Sequence, residues 1–146
     1  MSDDAGIARG TLHHVELWVP SFSRAHESFG WLLASLNYKE FQTWELGESW
    51  LLKDTYIVFE ESRAMNGRVH HRLHPGLNHL AFHVGTRAQC DALIAEALQH
   101  GWELLFPEKH PHAGGTQHYA GYMVNSDGFE IELVADDVKL GTSVTI

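Results

Sequence analysis

The feature that most constrains this chain is that it repeats itself. His13-His14-Val15-Glu16-Leu17-Trp18-Val19 returns as Asn78-His79-Leu80-Ala81-Phe82-His83-Val84 at a constant offset of 65 residues. Both segments alternate around large apolar side chains, the pattern of a half-buried strand. Each is followed, at the same offset, by a hydroxyl residue, Ser21 and Thr86, where a helix N-cap belongs. Thr86-Arg87-Ala88-Gln89 fits a capping box, in which side chains satisfy the orphan N–H groups of the first turn. Ala88, Ala92, Leu93, Ala97 and Leu98 then follow at helical spacing, and Gly101 closes the helix. The first copy offers Phe22, Ala25, Phe29, Leu32, Leu33 and Leu36, ending near Asn37.

Short extended runs follow each helix. In the first half these are Tyr38–Glu45, Ser49–Lys53 and Tyr56–Glu61; in the second, Trp102–Phe106, Gln117–Val124 and Phe129–Val134. Turns are expected at Leu46-Gly47-Glu48, Lys53-Asp54-Thr55 and Asn125-Ser126-Asp127-Gly128. The chain therefore reads as strand-helix-strand-strand-strand, twice, an α+β protein. At 146 residues it suits a single domain, with module one at about 11–61, a linker at 62–76 and module two at about 77–136. The linker is rich in Arg, His, Gly and Pro and lacks apolar periodicity; its length suggests a lid or a dimer contact. Beyond Asp136 the pattern weakens, with Val144–Ile146 a candidate edge strand.

The formal charge of −9 argues against nucleic acid and anionic membrane as partners. No apolar run approaches the ~18 residues of a membrane span, and the acidic N-terminus lacks a signal peptide's apolar stretch, so a cytoplasmic protein is expected. One cysteine, Cys90, excludes an internal disulfide and argues against a cysteine-based zinc site. Cys90 falls within the second helical pattern and reads as a structural thiol.

Period-two alternation sets Glu130 and Glu132 on one face of the last strand, opposite Phe129, Ile131 and Leu133. His14, Glu16 and Trp18 share one face of the first strand, and His79, Ala81 and His83 the matching face of its repeat. If the halves are related by a pseudo-twofold, His14 and His79 point at a common centre. Two imidazoles and one carboxylate suit one divalent metal ion, whether Fe, Mn, Ni, Zn or Co. Such an ion acidifies water and stabilises an enolate or alkoxide. Spacing alone leaves open whether these are ligands or structural histidines.

Other candidates are less constrained. His118 and Tyr122 share a strand face and are candidates to bind or protonate a substrate, or else lie on an ordinary amphipathic strand. The loop His110-Pro111-His112-Ala113-Gly114-Gly115 either covers a mouth or is a His-rich turn. His13 reads as structural. His70, His71 and His74 lie in the linker without repeat symmetry and are placed outside the principal site. Trp44 and Trp50 offer an aromatic wall or core packing.

The stretches LHHVELWVP, GLNHLAFHVGTRAQCDAL and NSDGFEIELV resemble the vicinal-oxygen-chelate superfamily, which includes glyoxalase I, extradiol dioxygenases, methylmalonyl-CoA epimerase, and the fosfomycin and bleomycin resistance proteins. The resemblance runs from about Thr11 to Ala135. It implies two βαβββ modules whose eight strands form a curved, cup-shaped mixed sheet with helices outside. It makes His14, His79 and Glu132 the metal ligands, and in an enolate mechanism Glu132 or Glu60 would double as proton shuttle; His118 and Tyr122 remain catalytic candidates from their strand position alone. It implies a small-molecule substrate with two vicinal oxygens, lyase/isomerase or dioxygenase chemistry, and a homodimer. Glyoxalase I carries a fourth ligand on the last strand of its first module. Aligning the turns at Asp54 and Asp127 sets Phe59 opposite Glu132, whereas a shift of one residue offers Glu60. Two alternatives stay open: a metal-free binding protein of the bleomycin-resistance kind, and a thiol transferase of the fosfomycin-resistance kind.

Overall fold

A computed structural model describes residues 6–136. They fall into two compact units, dividing between Arg68 and Val69.

The first unit runs β1 (His14–Trp18), α1 (Phe22–Ala25), a π-helical turn (His26–Gly30), α2 (Trp31–Ser35), β2 (Lys39–Trp44), β3 (Gly47–Leu52) and β4 (Thr55–Glu60). The sheet order is β1-β4-β3-β2, with β1 parallel to β4 and the other pairs antiparallel. A parallel pair needs a crossover, and the helical segment supplies the start of it. The second unit repeats this as β5 (His79–His83), α3 (Arg87–Ala97), β6 (Trp102–Leu104), β7 (Ala120–Asn125) and β8 (Glu130–Val134), in the order β5-β8-β7-β6. The expected βαβββ repeat is present, as two mixed four-stranded sheets.

In the first unit Ser21 accepts the Arg24 N–H at 3.2 Å and so starts the helix. The expected apolar stripe faces the sheet: Ala25, Phe29, Leu32 and Leu33 are buried. The Phe22 and Phe29 rings lie 6.3 and 6.0 Å from that of Phe59. The π-helical turn, which accommodates one extra residue, carries His26 toward the sheet. There its Nδ1 meets the Glu48 carboxylate at 2.7 Å. Asn37 ends the segment in the left-handed region, φ 68°.

Glu48 explains a correction. The sequence suggests a turn at Leu46-Gly47-Glu48 and a strand from Ser49, but Gly47 is already in β3, paired with Trp44 and Glu60. Glu48 points into the core at 1% exposure, accepting from Trp50 Nε1 at 3.0 Å. Trp50 is thus a core residue, whereas Trp44 is exposed.

In the second unit the Thr86 capping box forms with Gln89. The buried face of α3 is Cys90, Ile94 and Ala97, whereas Ala88, Ala92 and Leu98 face out. The alanines that extended the apparent apolar stripe populate the solvent side, where a methyl costs little. The strand expected from Gln117 begins at Ala120, so His118 precedes it. The core beneath the sheet holds Trp102, Met123, Ile131 and Leu133. Among the described residues no helix is long and apolar enough to cross a membrane. Val144–Ile146 lies outside them.

Candidate functional site

In β8, Ile131 and Leu133 are fully buried, which turns Glu130 and Glu132 to the opposite face. Both carboxylates are nevertheless almost out of water, at 4% and 6% exposure. A desolvated carboxylate is costly unless charge or hydrogen bonds compensate it. Both have polar partners. Glu130 accepts from Arg72 Nη1 at 2.6 Å. Glu132 meets two imidazoles: His79 Nε2 lies 3.1 Å from Oε1, and His118 Nε2 contacts Oε2. Tyr122, paired with Glu132 in register, donates its phenol to the same carboxylate. Burial, together with the charge and hydrogen bond of Glu132, pushes the Tyr122 hydroxyl up to about 12. It is therefore a neutral phenol at ordinary pH.

The orientation of His79 is readable from its neighbours. Asn78 Nδ2 donates to the Arg72 carbonyl at 2.9 Å, which turns Asn78 Oδ1 toward His79 Nδ1, 2.6 Å away. The Glu130 Oε2 atom lies 3.5 Å from the same nitrogen. Both neighbours are acceptors, so Nδ1 carries the hydrogen. In the neutral ring the Nε2 lone pair then faces Glu132 Oε1. Two electron-rich atoms at 3.1 Å need a cation between or beside them, either a proton or a metal ion.

His118 is held by the loop before β7. A Cβ on Gly114 would lie 2.6 Å from both His118 Cδ2 and the Tyr122 hydroxyl. Only glycine allows that close approach.

In the first unit His14 is exposed, and its ring stacks on Tyr56, with centroids 4.8 Å apart and planes at 5°. His13 Nδ1 lies 2.9 Å from His14 Nδ1. The register also gives the position in the first unit that corresponds to Glu132. Glu132 pairs with Ala81, two residues after His79; the equivalent partner of Glu16, two residues after His14, is Val58. Phe59 faces the helix and is fully buried, and Glu60 lies beside Trp18 at the strand end. Aligning the two turns by their aspartates misplaced the equivalence by one, because the second turn carries an additional residue, Gly128, at φ 86°.

Among the described residues no group of three or more His, Cys, Asp or Glu is arranged to hold a metal ion. The donors present do suit one in kind. Adjacent ligands with bonds of ~2.1 Å lie roughly 3.0–3.4 Å apart, the separation of the His79 and Glu132 donor atoms. Sequence reasoning named His79, Glu132, His118 and Tyr122, and the fold brings these four together. It missed Asn78, although the repeat aligns that residue with His13, and Arg72, for which the linker gives no signal.

Residues 13–122 match the family model of the glyoxalase/bleomycin resistance protein/dioxygenase superfamily. The Bacillus subtilis protein YqjT is 37% identical over 125 residues, covering 85% of this chain and 98% of YqjT. The crystal structure of a candidate glyoxalase from Bacillus halodurans has 36% identity and a TM-score of 0.82, covering 87% of this chain and 96% of that one. The fosfomycin resistance protein of Listeria monocytogenes, with manganese(II) and dihydroxypropylphosphonic acid bound, shares the fold at 17% identity and a TM-score of 0.57, over 87% and 90% of the two chains. The chain belongs to the glyoxalase/bleomycin resistance protein/dioxygenase superfamily.

Proposed function

We propose that the protein is a divalent-metal-dependent enzyme acting on a small molecule with two vicinal oxygens, by lyase/isomerase or oxygenase chemistry. The observation that carries this reading is the His79–Glu132 pair, whose Nε2 lone pair and carboxylate oxygen face each other at 3.1 Å behind an Nδ1 fixed as a donor. His79 and Glu132 would hold the ion. His14, the repeat equivalent of His79, is the further ligand of the proposal, contributed from this chain or from a second copy in a homodimer. Fe, Mn, Ni, Zn or Co would satisfy such a set. The bound ion would supply Lewis acidity toward the two oxygens of the substrate.

The remaining roles fall to this chain's own side chains. Tyr122 stays protonated and can donate a hydrogen bond without giving up its proton. His118 is the group best placed to move a proton, because it is half-buried and touches the Glu132 carboxylate. The burial of Glu130 and Glu132 keeps water from levelling these interactions.

A second reading, a metal-free binding protein, has one observation in its favour. The first unit exposes Trp18, Phe41 and Trp44, with the Phe41 ring 5.3 Å from that of Tyr56. Exposed aromatic groups of this kind suit a flat apolar ligand.

Metal analysis of the untagged protein decides between them. Near-stoichiometric metal that is lost in His79→Ala and in Glu132→Gln supports the enzyme. Protein that is metal-free and resists loading with each of the five ions supports the binding module.

A further inference from the structure

We propose that Asn78 is a positioning residue for His79, with Arg72 as its anchor: together they fix which imidazole nitrogen faces Glu132. This role rests on the reading of His79 as a ligand.

Four contacts build the device. The Arg72 carbonyl accepts from Asn78 Nδ2 at 2.9 Å and thereby sets the orientation of the amide. An amide so oriented can offer only its oxygen to His79 Nδ1, which it does at 2.6 Å. Arg72 is itself held at both ends of its reach. Its guanidinium bonds Glu130 at 2.6 Å. Two residues earlier, the His70 ring stacks on Phe129, with centroids 4.0 Å apart and planes at 3°. Phe129 immediately precedes Glu130, so the segment before β5 is pinned to the start of β8 by an aromatic stack and an ion pair. The pinning matters because Asn78 is exposed. An exposed amide with no second partner turns freely, and either of its ends can then meet the imidazole.

The consequence is a fixed tautomer. With Nδ1 as the donor, the lone pair of the neutral ring lies on Nε2, 3.1 Å from Glu132 Oε1. The other tautomer would aim an N–H at the position a cation must take. Groups that orient a ligating histidine in this way commonly change metal affinity by about 10- to 100-fold. In the first unit His13, at the repeat position of Asn78, contacts Nδ1 of His14 at 2.9 Å, so both candidate ligands are engaged by the residue before them.

The test uses Asn78→Ala, Asn78→Asp and Arg72→Met in the full chain. The His79 ring nitrogens are read by ¹⁵N NMR without metal, and Zn(II) affinity is read by chelator competition. The His79→Ala variant serves as the baseline for surface histidines. The expected result is a single Nδ1–H tautomer in the wild type, a mixture in Asn78→Ala with Zn(II) affinity down by roughly tenfold or more, and recovery of both in Asn78→Asp, which keeps the acceptor. Arg72→Met should shift both readouts in the direction of Asn78→Ala. An Asn78→Ala protein with the wild-type tautomer and affinity overturns the proposal. If the wild type binds Zn(II) no better than His79→Ala, the metal reading fails, and the tautomer spectrum alone then decides whether Asn78 positions His79.

Discussion

Val58 stands in the first unit at the register position that Glu132 holds in the second. The repeat has kept its histidine at both places and its carboxylate at one. Glu60, on the same face of β4, sits two residues further along, opposite Trp18. The expected outcome is that Glu60→Gln leaves metal content unchanged. Glu132→Gln, by contrast, should lower metal affinity by at least about a hundredfold, because in the proposed site it would remove a ligand and not only a ligand's support. Elemental analysis of the two variants checks this.

Gly114 sets the spacing of the His118 and Tyr122 pair. An added methyl would meet both side chains at 2.6 Å, so both must give way. Gly114→Ala should therefore shift the His118 ring resonances while Tm, carried by the core, changes little. Unchanged His118 resonances would refute the constraint.

The Glu48 carboxylate is a structural element of the first unit. Glu48→Ala leaves the buried Trp50 Nε1 without its acceptor and frees His26, at an expected cost of about 1–3 kcal/mol. His26→Ala should cost less, because the imidazole is about half exposed. Urea denaturation of the two variants gives the order.

Cys90 is sealed. Its thiol is fully buried and directed at the Leu133 carbonyl, and burial, with the neighbouring Asp91 charge, pushes it up to about 11 from an ordinary 9. At pH 8 the thiolate fraction is then about a hundredfold below that of the unfolded chain, and labelling by a disulfide reagent should be slower by at least that factor. The sign for stability follows. Between about pH 9 and 11 the unfolded thiol loses its proton while the folded one keeps it, so this contribution is intact below pH 9 and is lost as pH rises.

The sequence made the repeat, the strand faces and the cluster of His79, Glu132, His118 and Tyr122 legible, because period-two alternation and a fixed offset are local properties. It misjudged what depends on packing or on turn length. Glu48 looked like a turn residue because its buried partners, His26 and Trp50, are brought to it by a π-helical turn and by strand geometry. The spacing did not say which side of α3 is buried, because alanine fits either side of a helix. The equivalence of Val58 was obscured by one inserted glycine, a small change that moves every side chain after it to the other face. Arg72 was missed because its ion pair joins a segment without periodicity to the last strand, and Asn78 because its role depends on that segment's carbonyl.

The burial of Cys90 also has a practical side. Its lone thiol is closed to reagents, so the wild-type chain serves directly as a background for introduced cysteines. A cysteine at Trp18 or at His83, both on exposed strand positions, would take a spin label or a fluorophore alone. Each βαβββ unit can thus be watched separately while ligand or metal is added, with no native residue removed first.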